Sequence, residues 1–185
     1  MEAPCRFTVI KGERVDLKPF SLEDLEFLYR WNNDPEYVGE YEPQDQVTRE
    51  ELEEWLLKEK PGQRWYVIQT KQGRKMGQLV AREKEDGTIQ IGYRVTPPTR
   101  NQGYCTAAVR AVVNHFFSET DAERITAEAN PKNTASIRVL EKAGFTRTGY
   151  KEKAVEIKGV WMDGTVYQLE KSDWLTARRR ARLHG

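Results

Sequence analysis

The sequence predicts an α/β domain: a mixed, mostly antiparallel sheet of about seven strands, one parallel crossover, and helices on both faces. Three observations predict it. The alternating stretch Ile89-Gln90-Ile91-Gly92-Tyr93-Arg94-Val95 reads as a half-buried strand; Pro97 and Pro98 stop it, and Ala108, Val109, Val112, Val113 and Phe116 then recur at helical spacing. A second short strand, Arg124-Ile125-Thr126-Ala127-Glu128-Ala129, follows that helix, which makes the helix a crossover between parallel strands. Upstream, strand-like runs at 65–70 and 75–82 flank Lys71-Gln72-Gly73-Arg74, a hairpin signature.

Taken in order, a first strand falls within residues 9–19, around Arg14-Val15-Asp16-Leu17. Ser21 then caps a helix whose stripe is Leu22, Leu25, Leu28 and Tyr29, and Asn33-Asp34-Pro35 breaks it. Residues 36–47 read as irregular and acidic. Thr48-Arg49-Glu50-Glu51 is a capping box for a second helix with Leu52, Trp55 and Leu56 inward, stopped by Pro61-Gly62. After the hairpin, Asp86-Gly87 turns the chain into the strand at 89. Beyond the crossover, a helix over about 134–142 ends at Gly144, and residues 145–156 and 166–170 close the sheet as an antiparallel pair. With no repeat and no linker, residues 1–175 form one domain. Residues 176–185, with Arg178, Arg179, Arg180 and Arg182, read as a solvated, disordered, frayed terminus, and a nucleic-acid anchor is the competing reading.

A chain of 185 residues, 38% hydrophobic and 32% charged, is large enough for a core and too apolar for a disordered chain. Its net charge of +1 gives no general pull toward nucleic acid or membrane. Cys5 and Cys105 alone cannot make a disulfide framework, and no apolar run is long enough to cross a bilayer. The cytoplasm is the expected compartment. His115 and His184 are too scattered to suggest a metal site.

The stretch around which the chain is organised is Arg100-Asn101-Gln102-Gly103-Tyr104-Cys105-Thr106, at the entrance of the crossover helix. A helix entrance gathers unpaired N–H groups and the positive end of the helix dipole, which suits a phosphate or pyrophosphate. Gly103 lets the main chain come close to such an anion; Arg100 and Thr106 offer donors. Cys105 sits where a thiol can become reactive, but no histidine accompanies it at a meaningful spacing.

That loop, together with Asn130-x-x-Asn133-x-x-Ser136 running into Glu141-Lys142-Ala143-Gly144-Phe145, resembles the GNAT superfamily of acyl-CoA-dependent N-acyltransferases. The second cluster looks like the ribosomal-protein-alanine acetyltransferase branch, and Arg30-Trp31-Asn32-Asn33-Asp34-Pro35 and Trp161-Met162-Asp163-Gly164 extend the likeness over nearly the whole chain. The resemblance implies that Arg100, Asn101, Gln102, Gly103, Tyr104, Cys105 and Thr106 hold the pyrophosphate of acetyl-CoA. Cys105 stands where the family usually has Gly or Ala, so its side chain must point away. It further implies that the two parallel strands splay, that the main chain of Tyr93 and Val95 receives the acyl carbonyl and pantetheine amides, and that Asn130 and Asn133 line the cofactor arm.

Acyl transfer from a thioester to an amine needs a neutral amine, a polarised carbonyl and a tolerated thiolate. A free thiol titrates near 8.5, so positioning supplies much of the rate. Ser136 is the candidate for protonating the thiolate; a plain hydrogen-bond donor is its bland reading. The position after Gly-Phe where this branch often carries a carboxylate is Thr148 here, which leaves Glu128 as candidate base, or as a rim carboxylate paired to a Lys or Arg.

The expected function is therefore acetyl transfer from acetyl-CoA to a primary amine, either a protein N-terminus or a small cationic amine, without metal. A non-catalytic acyl-CoA-binding sensor is the alternative, and homodimer formation stays open. Between residues 21 and 60 there are 13 acidic and four basic side chains. Glu36, Glu40, Glu42 and Asp45 in that segment favour a cationic acceptor.

Overall fold

The computed structural model describes residues 8–184, so Cys5 lies outside the described residues. Its strands are β1 (Ile10–Lys11), β2 (Val15–Pro19), β3 (Gln63–Thr70), β4 (Lys75–Glu83), β5 (Ile89–Val95), β6 (Arg124–Ala129), β7 (Thr146–Ile157) and β8 (Val160–Glu170). Its helices are α1 (Leu25–Asn32), α2 (Pro35–Val38), α3 (Arg49–Leu57), α4 (Tyr104–Glu119), α5 (Thr134–Lys142) and α6 (Lys171–His184). The strands make one sheet in the order β1-β2-β3-β4-β5-β6-β8-β7. Every neighbouring pair is antiparallel except β5–β6, which is parallel as the crossover requires.

Strand alternation divides the core in two. On one face α4 and α5 lay Val109, Val112, Phe116 and Leu140 over Leu17, Ile68, Leu79, Ile91 and Ile125. On the other, α1 to α3 lay Leu28, Trp31, Tyr37 and Leu52 over Val67. Helix α1 is entered through a short 3₁₀ turn in which the Asp24 carboxylate accepts from the Ser21 N–H at 2.9 Å and from its hydroxyl at 3.1 Å. Asp24 is fully buried and ion-paired to Lys75 of β4, which pins the helix entrance to the sheet. Thr48 caps α3 as its box predicts: Glu51 N–H to Thr48 Oγ1 is 3.1 Å and Thr48 N–H to Glu51 Oε2 is 2.8 Å.

Four features differ from the sequence expectation. The sheet has eight strands rather than about seven, because Gly12 donates to the Val15 carbonyl at 3.0 Å and folds 9–19 into a hairpin. The stretch after Asn33 is helical for one turn: Asp34 caps it through the Glu36 N–H at 2.9 Å, and Pro35 opens it with its φ already set. Strand β8 begins at Val160 rather than at 166 and pairs with β7 out to its far end. Its first residues are mostly exposed and lack an alternating apolar pattern, and the register shifts between Lys151 and Val155. The fourth is the C-terminus. Residues 171–184 are helix α6, not a frayed tail, and Trp174 docks it by packing its ring tilted against Phe117, centroids 5.4 Å apart, and donating to Asn114 Oδ1 at 2.8 Å. The later arginines stay on its exposed surface.

Candidate active site

β5 and β6 run side by side only from Ile89↔Ile125 to Ile91↔Ala127. Beyond that they diverge. Residues 92–95 remain bonded to β4, through Gly92↔Val80 to Val95↔Gly77, while Glu128 and Ala129 remain bonded to β8. Each strand therefore presents main-chain groups to a gap, and the strands splay as the resemblance implies. The tightness of the β4–β5 contact is set by Gly77, where an added Cβ would lie 2.0 Å from the Arg94 carbonyl oxygen.

The gap leads to the loop before α4. Pro97–Thr99 forms a 3₁₀ turn, and Thr99, buried, binds Thr96 through Oγ1 at 2.9 Å to its carbonyl. Asn101 is left-handed at φ 59 and Gly103 at φ 80, so the loop reverses twice before the helix begins. Glycine and asparagine are the residues that tolerate this. Gly103 is the N-cap and brings no side chain to the first turn, so the N–H groups of Tyr104, Cys105 and Thr106 have no intrahelical partner. A receptor for an anion results. Gln102 is held by its own side chain, Nε2 to the Pro98 carbonyl at 2.7 Å.

The side-chain cation at this loop is one that sequence spacing did not single out. Arg14, 88 residues earlier in the chain, donates from Nη1 to the Gln102 carbonyl at 3.1 Å and lies over the Tyr104 ring at 5.2 Å. Arg100, expected to face the phosphates, turns the other way and donates to the carbonyls of Glu36 and Tyr37 in α2. Orphan carbonyls of a one-turn helix attract it more strongly than an open loop does. Cys105 is half-buried against the α4-side core, and burial pushes its thiol up to about 12. It packs against that core, and burial disfavours the thiolate that a nucleophile would need.

Across the gap, the Tyr93 hydroxyl reaches the N-terminal turn of α5, 3.2 Å from the Ser136 carbonyl and 3.1 Å from Ser136 Oγ. Burial holds the Tyr93 phenol above its usual range, with the Ser136 hydrogen bond opposing. It therefore stays protonated and donates. Tyr93 thus contributes a side chain as well as main chain, a role hidden in the sequence because the residue is also a regular inward position of β5. Asn133 accepts from the Ser136 N–H at 3.1 Å, which makes it the N-cap of α5. Asn130 closes a turn by accepting from the Lys132 N–H at 2.8 Å and donates to Met162 Sδ at 3.3 Å. Glu128 is exposed and takes hydrogen bonds from Lys151 Nζ and, at 3.1 Å, from Gln90 Nε2. That is the arrangement of a rim carboxylate. His115 lies on α4 beside Phe116 and does not meet these groups.

The opposite face of β5 borders a hollow of about 330 Å³ under α1 and α3, walled by Phe20, Leu28, Leu52, Trp55, Trp65 and Arg94. Its rim, residues 43–47, is fixed by Asn33, which donates to the Val47 carbonyl at 2.9 Å and accepts the Val47 N–H at 3.1 Å. Arg94 pairs with Glu42 at 3.8 Å, and Tyr41 donates to the Lys132 carbonyl at 3.4 Å, so this segment straddles the gap. Of the expected acidic group, Asp45 lines the hollow and Glu42 stands beside it. A second, wider hollow lies at the other end of the sheet, around Asp86, Thr88 and Arg124, away from the loop.

A cleft that divides a parallel strand pair and ends on an anion-receptive helix suits a phosphate-bearing ligand. Residues 14–146 match the family model of the acetyltransferase (GNAT) domain, and the chain belongs to that family. It is 27% identical over 168 residues to the uncharacterized N-acetyltransferase YnaD of Bacillus subtilis (strain 168), covering 89% of this chain and 98% of that one. The GNAT-family acetyltransferase from Bacillus anthracis superposes with a TM-score of 0.78 at 27% identity, covering 89% and 99% of the two chains. The ribosomal-protein-S5-alanine acetyltransferase from Vibrio fischeri shares the fold at TM-score 0.80 and 19% identity, over 91% and 99%. The reaction is acetyl-CoA-dependent N-acetylation. Among the described residues no group of His, Cys, Asp or Glu is placed to hold a metal, and no helix is long and apolar enough to cross a membrane.

Proposed function

We propose that this chain transfers acetyl from acetyl-CoA to a primary amine delivered from the α1–α3 side of the sheet. The observation that carries the proposal is the gap beyond Ile91 and Ala127, open on main-chain groups and continuous with the Gly103-capped start of α4. The N–H groups of Tyr104, Cys105 and Thr106, with Arg14 beside them, suit the pyrophosphate; the free edge of β5 at Tyr93 and Val95 suits the thioester carbonyl. As the amine attacks, the C–N bond forms and the C–S bond breaks, and the thiolate takes a proton through the Ser136 hydroxyl, which Tyr93 orients and which water reprotonates. Asn130 and Asn133 hold the turn and cap that place Ser136. The amine's own proton leaves through water.

The test is thiol release from acetyl-CoA with a panel of amines, alongside calorimetry of acetyl-CoA binding. Turnover that depends on the amine, with acetyl-CoA binding weakened by Gly103→Val, is the expected result. Tight acetyl-CoA binding with no turnover on any amine would make the chain an acyl-CoA sensor instead.

A further inference from the structure

The hollow under α1 and α3 is apolar on most of its wall yet open at its rim. Trp55 and Trp65 meet edge to face with centroids 5.0 Å apart, and Phe20 lies 6.1 and 6.2 Å from them. Leu28, Val38, Leu52 and Val47 continue the lining. Apolar wall left in contact with water forgoes roughly 25 cal/mol per Å², so an open aromatic hollow is a feature that a ligand's apolar group would complete. Its volume of about 330 Å³ has room for on the order of ten water-sized groups at about 30 Å³ each.

Two polar features give the hollow a direction. Arg94 stands on β5 between Tyr93 and Val95, so one wall of the hollow is the strand that borders the gap. Arg94 is already engaged by Glu42 and lies over the Tyr37 ring at 5.4 Å. Asp45, at the rim, has no cation within ion-pair distance among the described residues. The free charge facing the hollow is therefore negative, and it meets an ammonium better than a carboxylate.

We infer that this hollow is the acceptor's binding site, and that the acceptor is a small monoamine with an aromatic or branched aliphatic body rather than a long polycation. The inference rests on the acetyl-transfer reading above. The body packs against Trp55, Trp65 and Phe20, the ammonium is met at the Asp45 rim, and the amine attacks the thioester after losing its proton to water. A chain such as spermine offers only thin methylene runs between its charges, which do not fill the hollow, and needs a run of carboxylates inside it, where only Asp45 is present among the lining residues.

The probes are phenethylamine, phenylacetate, ethylamine and spermine, each assayed for acetylation and, by saturation-transfer NMR, for binding to the protein without acetyl-CoA. Phenethylamine should bind and phenylacetate should not, and kcat/KM for phenethylamine should exceed that for spermine and for ethylamine at least tenfold. Val47→Phe, which narrows the hollow, should raise KM for phenethylamine at least tenfold while leaving acetyl-CoA affinity unchanged. Trp55→Ala, which widens it, should shift preference toward bulkier amines. Spermine as the better acceptor, or a preference unmoved by both variants, overturns the inference. So does absence of phenethylamine binding accompanied by a dimer in sedimentation, which would assign the hollow to a second copy. Failure of acetyl-CoA itself to bind would instead fault the reaction, since phenethylamine binding is read without it.

Discussion

The two faces of the sheet solve different problems with different materials. On the α4 side the site is made of main chain: a strand edge, a left-handed Gly103 and the first N–H groups of a helix. On the α1–α3 side it is made of side chains, namely Phe20, Trp55, Trp65, Arg94 and Asp45. Main-chain recognition suits a ligand whose chemistry never changes, because it depends on conformation and not on which side chains surround it. Side-chain recognition can be rewritten residue by residue while the sheet stays intact. On the proposed reading, a change of acceptor needs only side-chain changes on the α1–α3 side, whereas the cofactor half depends on backbone conformation.

The largest expected effect joins the halves at the sheet itself. Lys75→Met leaves the Asp24 carboxylate fully buried with its cation removed. Loss of one partner of a buried pair costs roughly 3–5 kcal/mol, so chemical denaturation should show that loss, with α1 and the acceptor hollow failing before the α4 side. Equal loss of protection on both faces in hydrogen exchange would break the division between them.

Next comes Gly103→Val, aimed at the main-chain half. The new side chain meets a φ of 80 and stands 2.9 Å from Arg14 Nη1. Acetyl-CoA affinity should fall at least about tenfold, about 1.4 kcal/mol, while phenethylamine binding is spared. Unchanged affinity by calorimetry would mean the phosphates lie elsewhere.

Ser136→Ala should lower kcat about tenfold, about 1.4 kcal/mol in the barrier, with acetyl-CoA affinity kept, since its Oγ meets only Tyr93 among the described residues. Glu128→Gln should leave the acidic limb of the pH–rate profile in place, because that carboxylate is engaged by Lys151 and Gln90. Disappearance of the limb would restore Glu128 as the base.

The last effect separates the halves by pH and appears only on the alkaline side. Burial raises the Cys105 thiol from its ordinary 9.0 to about 12, so the unfolded chain ionises it first as pH rises. The native state keeps its full advantage below pH 9 and loses part of it between 9 and about 12. Cys105→Ala should flatten the alkaline fall in stability, and alkylation of the native thiol at pH 8 should be slow. Rapid alkylation would show that the start of α4 is more open than the packing indicates.

How much of this could be read beforehand follows the same division. The crossover, the loop at 100–106 and the cap at Asn133 are local: a proline stop, a glycine at a helix entrance and an asparagine three residues before Ser136 each act within a few positions of themselves. Arg14 could not be read in the same way, because its partner carbonyl lies 88 residues on and nothing near Arg14 announces it. Arg100 misled for a related reason: its nearest anion-like groups are the carbonyls of α2, a helix the spacing did not suggest. The hollow was likewise invisible, since Phe20, Trp55 and Trp65 sit on three elements that meet only in the folded sheet. The terminal helix escaped notice because only Trp174 and its partner Asn114 distinguish it from a solvated basic run.

The guanidinium of Arg100 belongs to the cofactor loop by sequence and to the acceptor side by contact, bonding the carbonyls of Glu36 and Tyr37. Together with Tyr41 on the Lys132 carbonyl it fastens the lid of one pocket to the lip of the other. We expect a brace of this kind to couple the affinities of the two substrates, and thermodynamic linkage requires any such coupling to be mutual. Whatever factor acetyl-CoA lends to amine binding, the amine returns to acetyl-CoA. Arg100→Met would cut that exchange, leaving an enzyme that holds each substrate separately and no longer registers the presence of the other.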